Sequence, residues 1–144
     1  MKVFIVFLAL LIVNTTFISF AGDLNRYVRL QTYLKAAAEE AAAGAALYYD
    51  EEAFGRGIMI INRDEGEKYI ADQIARVEAS LNLKEGESLR AEVEIEDDMG
   101  GSADPGVTPA VTVTLCLTVT DLFRLPFVCR EQVVRSARYE LAEY

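Results

Sequence analysis

Histidine is absent from this chain of 144 residues, which removes the commonest general base and the commonest transition-metal ligand. Serines occur, but without histidine none belongs to a Ser-His pair. Cysteine is scarce. Cys116 and Cys129 are too few for a disulfide framework or a zinc site, and no Cys-x-x-Cys-His run exists to attach a c-type haem. Positive charge is the minority sign: 14 Lys and Arg stand against 23 Asp and Glu, a net charge of −9. With no basic stripe to neutralise phosphates, no nucleic-acid partner is expected. Asp97, Asp98 and Asp104 lie in a Gly-rich stretch and are oxygen donors of the kind Ca²⁺ takes, but EF-hand spacing is missing and they read as a solvated hairpin loop. Catalytic, cofactor-binding and metal-binding residues are therefore all assigned as none, and no enzymatic activity is expected.

What the chain has instead is a long apolar start. Residues 3–21 are nearly uninterrupted hydrophobic sequence, and residues 23–50 continue in helical period with no proline and one glycine, Gly44. The two stretches read as one helix, apolar in its first half and amphipathic in its second. At ~1.5 Å per residue, about 48 residues make a rod roughly 70 Å long, against about 11–12 residues for an ordinary globular helix. A small domain has no use for such a rod in its own core. A membrane anchor or a filament subunit does.

Three readings of residues 1–22 stand side by side. Met1-Lys2, the apolar run and the small residues of Ser19-Phe20-Ala21 fit a signal peptide cleaved after Ala21. An uncleaved anchor fits as well, since about 19 residues rise ~28 Å and span a hydrocarbon core. Lys2 on the short flank then favours a cytoplasmic N-terminus. The third is a segment that sits first in the membrane and later in a filament core. Asn14, Thr15, Thr16 and Ser19 interrupt the run with small polar groups. Hydroxyls there bond back to the carbonyl four residues earlier. The Asn14 carboxamide has no full solution within one helix, so a partner on a neighbouring helix is expected.

From Leu24 onward, Leu24, Gln31, Ala38 and Ala45 recur every seven residues, with Tyr27, Leu34, Ala41 and Tyr48 between them. The alanines around Gly44 favour helix and leave a flat surface, which from residue 35 onward is expected to pack on the chain's own sheet. Tyr27, Tyr33, Tyr48 and Tyr49 read as packing residues. The helix should end near residues 50–53, with Gly55 and Gly57 marking the turn and Ile58, Met59, Ile60 and Ile61 forming a strand or a plug. Asp64 and Glu67 have capping-box spacing at the start of a second helix, in which Ile70, Ile74, Val77 and Leu81 face inward and Asp72, Gln73, Arg76 and Glu78 face out.

After Gly86 the period becomes two. Leu89, Ala91, Val93 and Ile95 alternate with Arg90, Glu92, Glu94 and Glu96, whose glutamates read as a solvated strand face. A loop follows over residues 97–109, then the clearest strand at 110–120, an apolar loop around Pro126 and a last strand at 131–141. The fold class is α+β: a long N-terminal helix packed on a small head with a second helix and a three-stranded antiparallel sheet. Its parts are an apolar membrane or filament-core segment at 1–22, an amphipathic continuation at 23–50 and an extracytoplasmic head at 51–144. Cys116 and Cys129 are symmetric about a turn near Leu122 and Phe123, so a hairpin there would set them opposite each other as a disulfide.

The apolar half-helix, the stretch Gln31-Thr32-Tyr33-Leu34-Lys35-Ala36-Ala37-Ala38-Glu39-Glu40 with the alanines after it, and the late strand followed by a proline-containing loop and a final strand resemble type IV pilin-like subunits, and among them the TadE-like proteins of tight-adherence pili. The resemblance covers the whole chain in plan and rests mostly on composition. It implies a structural subunit, inserted in the cytoplasmic membrane before assembly and then part of an extracellular filament at the cell surface, with copies of itself as partners. Two features depart from the pattern. Ile5 stands where pilins carry a glutamate as fifth mature residue, which removes the ion pair that residue makes with a neighbour. No leader with a glycine cleavage site precedes Met1, which leaves open a leader already removed and a subunit that is not processed.

A helix apolar all round must be surrounded by lipid or by other apolar helices. Phe4, Phe7, Leu8, Leu11, Asn14, Thr15 and Ile18 are accordingly the expected assembly interface. Two other classes of function remain beside this one: a single-pass anchored protein whose acidic head binds a partner and never polymerises, and a secreted enzyme or inhibitor.

Overall fold

The computed structural model describes residues 2–97, 108–124 and 131–141. The fold is α+β. A long helix, α1 (Lys2–Ala46), is followed by one turn of helix, α2 (Glu51–Phe54), a second long helix, α3 (Arg63–Leu81), and three strands, β1 (Ser88–Glu96), β2 (Ala110–Thr118) and β3 (Gln132–Glu140). The strands form one antiparallel sheet in chain order, with β2 in the middle. Ser88, Thr118 and Gln132 align at one end, and Glu96, Ala110 and Glu140 at the other.

The period-two patterning of β2 has a direct outcome. Val111, Val113, Leu115 and Leu117 are buried toward the helices, while Thr112, Thr114, Cys116 and Thr118 sit half-buried on the opposite face. The second half of α1 lies over β2 and β3, and α3 packs on α1 and reaches β1. Leu34, Ala38, Ala41, Ala42 and Ala45 of α1 meet the inward valines and leucines, with Ile70 and Val77 of α3 closing the side. The alanine run therefore serves the chain's own core. The far face of the sheet is polar: Glu92 and Glu94 are exposed, Thr114 and Ser136 share a hydroxyl bond at 2.9 Å, and Arg138 bridges Glu96 at 2.8 Å and Glu140 at 3.0 Å. On the inner face Val93 is 37% exposed, because α3 covers only part of the β1 edge.

Three local expectations are corrected, and one left open between two forms is decided. Helix α1 stops at Ala46 rather than at 50–53, because Asp50 caps α2 instead, its Oδ1 accepting from the N–H groups of Glu52 at 2.9 Å and Ala53 at 3.0 Å. Tyr49 and Ile61 form a β-bridge flanked by bonds from Asp50 N to Ile60 O and from Asn62 N to Tyr48 O, so the isoleucine run is a plug with Ile61 buried. The cap of α3 is Asn62, which accepts from Glu65 N at 3.3 Å, so the helix begins before the Asp64–Glu67 pair. Gln73 faces inward. It is buried against α1, donating to Glu40 at 3.1 Å and to the Tyr69 hydroxyl at 2.9 Å.

Two glycines of α1 carry opposite expectations. A methyl group at Gly44 would run into the Tyr69 ring, which lies across it, whereas at Gly22 it would meet nothing within 4 Å. Gly22→Ala is expected to raise helix stability by up to about 1 kcal/mol, the ordinary gain from removing a helical glycine. Gly44→Ala forfeits that gain by forcing Tyr69 off its bond with Gln73, a net loss of about 1 kcal/mol. Thermal unfolding of the two variants checks the signs, and equal shifts in one direction would contradict the packing at Gly44.

The connector from α3 to β1 is tied to the end of the sheet by Glu87. Its carboxylate accepts from Lys84 N at 2.9 Å, Thr120 N at 3.3 Å and Thr120 Oγ1 at 3.2 Å. The Lys84 N–H, helped by Thr120 and opposed by partial desolvation, lowers its pKa below the usual 4.5. A carboxylate with a depressed folded pKa contributes stability that is present above its unfolded value and lost as pH falls through the folded one. Acid unfolding of the wild-type head should therefore be steeper below pH 4.5 than that of Glu87→Gln. Superimposable acid limbs would show that Glu87 contributes nothing.

Candidate functional site

Residues 3–18 of α1 project free of the head. Their large apolar side chains are exposed, from 46% at Leu8 to 83% at Val3. The most apolar stretch of this helix has none of its residues buried, and it is long and apolar enough to cross a membrane. The whole chain exposes 10219 Å². A compact protein of this mass exposes roughly 7,400 Å². The exposed apolar side chains of the projecting helix form one contiguous surface, far larger than the apolar patch of about 300–600 Å² found on ordinary monomers.

The residues expected at the interface share one side of this helix. Phe4, Phe7, Leu8, Leu11, Asn14, Thr15 and Ile18 recur at three- and four-residue spacing and are all exposed. At 3.6 residues per turn they lie roughly opposite Asp23, Tyr27, Leu34 and Ala38, which face the head. The strip thus points away from the sheet. Its hydroxyls fold back on the helix, Thr15 onto Leu11 O at 3.0 Å and Thr16 onto Ile12 O at 2.8 Å. Asn14 donates Nδ2–H to Leu10 O at 3.1 Å, within its own helix. That bond leaves the side-chain carbonyl oxygen open, the half of the carboxamide for which the helix has no donor.

Where α1 enters the head, a collar holds it, and sequence reasoning missed it. Asp23 is buried, and its Oδ2 accepts the Arg124 N–H at 2.9 Å while the Arg124 guanidinium stands 3.9 Å from Oδ1. Phe123 from the same loop stacks between Phe20 and Tyr27, with ring centroids 6.2 and 5.8 Å away. Arg26 donates to Asp121 O at 3.4 Å, where the loop turns through a left-handed Asp121 (φ 56°). One signal was available: Asp23 is the sole acid in the first 38 residues, set directly behind an apolar run. The tyrosines do pack, Tyr48 on Tyr69 at 5.8 Å, Tyr49 on Phe54 at 5.2 Å, and Tyr33 through a hydroxyl bond to Ser80.

The hairpin geometry behind the disulfide is corrected. Cys116 stands opposite Val134, a register five residues beyond the one that would bring Cys129 across from it, and its thiol is free. A longer connection between β2 and β3 shifts the register in this way. Cys129 lies outside the described residues. Asp97 is engaged by Arg63 at 3.4 Å, while Asp98 and Asp104 lie outside the described residues, among which no acidic or cysteine cluster has the makings of a metal site.

No protein-family model, no curated protein and no solved structure matches this chain. The projecting helix and its collar are therefore read on their own physical chemistry.

Proposed function

We propose that this chain is a structural subunit of an extracellular, pilus-like filament, assembling through residues 3–20 and catalysing no reaction. One observation carries the reading: a helix apolar on every side stands wholly uncovered beside a head whose core is already closed. Such a helix needs lipid, then like helices, around it. The strip from Phe4 to Ile18 faces away from the sheet and is exposed along its length, so it is open to neighbouring copies. The collar fixes the direction in which the helix leaves the head, as a repeating assembly requires of each copy.

In this reading the head lies outside the cytoplasmic membrane. Arg26 and Arg29 on the head side do not oppose it, because charge bias governs short loops and whole domains translocate largely regardless of it. A second reading is a single-pass anchor whose head binds a partner and never polymerises. The hydroxyls of Thr15 and Thr16, already bonded to their own helix, favour it, since they need no partner on a neighbouring helix. Electron microscopy of material sheared from the cell surface separates the two. Filaments bearing this chain at a regular repeat support the first, and chain that stays with the membrane fraction without filaments supports the second.

A further inference from the structure

Basic side chains are the minority here, 14 against 23 acidic. Yet a cleft of about 440 Å³ at the foot of the head is lined by two arginines and by no carboxylate. It lies between α1 and the C-terminal end of α3, with Gly22, Arg26, Arg29, Leu30, Tyr33 and Leu81 in its walls. Arg26 spends one N–H on a long bond to Asp121 O, and Arg29 is exposed with no hydrogen bond or ion pair among the described residues. Asp23, the nearest acid in sequence, is turned to Arg124 and leaves the pair unneutralised.

The position of the cleft says what it meets. By helical period, Gly22 and Arg29 continue the side of α1 that carries Leu8, Leu11, Thr15 and Ile18. A hydrocarbon chain lying along that strip therefore leads into the cleft. The apolar run ends at Ala21, so the Arg26 and Arg29 backbone stands ~8 and ~12 Å further along the axis. The headgroup layer extends roughly 5–8 Å beyond the hydrocarbon core. Helical side chains tilt toward the N-terminus, which brings both guanidinium groups back into that layer. A guanidinium fork matches a phosphate oxygen pair, and Leu30, Leu81 and the Tyr33 ring offer an apolar wall to the glycerol and first methylene groups. Gly22 has no side chain to close the entrance.

The geometry points to a site for the phosphate of one anionic phospholipid, held by Arg26 and Arg29 while α1 spans the membrane. This rests on the membrane insertion proposed above and not on polymerisation. The test uses the full chain in nanodiscs of equal phosphatidylcholine and phosphatidylglycerol, with retained lipid counted by native mass spectrometry. Wild type should keep phosphatidylglycerol in preference. Each arginine changed to glutamine should lower that retention about fivefold, and Arg26→Gln with Arg29→Gln should remove the preference. Lys35→Gln, outside the cleft, should leave it intact. A second arm adds inorganic phosphate to phosphatidylcholine discs. A phosphate adduct dependent on both arginines, with no phosphatidylglycerol preference, would make the ligand a soluble anion and overturn the lipid site. Equal retention by wild type and the double variant would overturn it too. A chain that inserts but shows no preference defeats this site alone, whereas a chain that fails to insert defeats the membrane reading and the site together.

Discussion

Leu11→Asp is expected to abolish filaments and leave the head folded. Leu11 lies mid-way along the projecting helix, on the side turned from the sheet, and residues 3–18 lie outside the head's core. In an assembly, or in lipid, the new carboxylate has no cation near it: between Lys2 and Arg26 the segment carries no basic residue. An aspartate at the centre of a spanning helix costs about 3 kcal/mol on insertion scales. An unpaired buried charge in a packed interface costs several more, repeated in every subunit. The head contributes its core regardless, so its thermal transition should move by less than about 0.5 kcal/mol, as for a surface change. Glu94→Gln, on the exposed polar face of the sheet, should alter neither property. Electron microscopy of sheared material and a melt of the detergent-solubilised chain are the two readings. Normal filaments from Leu11→Asp, or a wild-type chain that stays monomeric without detergent, would end the proposal.

Asp23→Ala is expected to loosen the collar at a cost of about 2 kcal/mol, within the range for a hydrogen bond to a charged group whose partner is left behind. The carboxylate is nearly enclosed, its side chain 11% exposed, and the Arg124 N–H has it as acceptor. Without it the loop that presents Phe123 to Phe20 and Tyr27 loses its fixed end. Asp23→Asn keeps an oxygen acceptor and should recover more than half of the loss. Two readouts distinguish a collar from a mere core contact. The melting temperature falls, and a cysteine cross-link between positions 20 and 123, efficient in the parent, weakens. A variant with unchanged melting and unchanged cross-linking would show that Asp23 does not hold the helix.

The elements that periodicity marks strongly were legible in the chain. Strand β2 alternates without a break from Val111 to Leu117, and it occupies the sheet centre because it alone offers a full apolar face with two pairable edges. The second helix and the alanine-rich part of α1 were legible for the same reason. Boundaries were not. Asp50 and Asn62 each serve as caps, and any of several Asp, Asn and Glu residues nearby would serve as well by type alone. The choice fell to the bridge between Tyr49 and Ile61, a contact between segments twelve residues apart that lies between the two caps. Gln73 read as solvent-facing because it is polar, and only the approach of Glu40 and Tyr69 makes burial affordable for it. The Cys116–Cys129 pairing assumed the tightest hairpin between two strands, and register is set by a loop whose length apolar patterning does not encode.

By itself the sequence determined that this protein has a helix too long and too apolar to be covered by its own head, because hydrophobicity on all sides of a helix is a property of composition and period alone. It also determined the two-layer head, since each amphipathic element carries its inner face in its own residue order. Only the tertiary structure decided how helix and head are joined. The collar brings Asp23 to Arg124 and Phe20 to Phe123 across about a hundred residues of chain, and the basic cleft sets Arg26 and Arg29 beside Leu81. Contacts between residues so far apart depend on how α1, α3 and the sheet pack, and no local pattern records that packing.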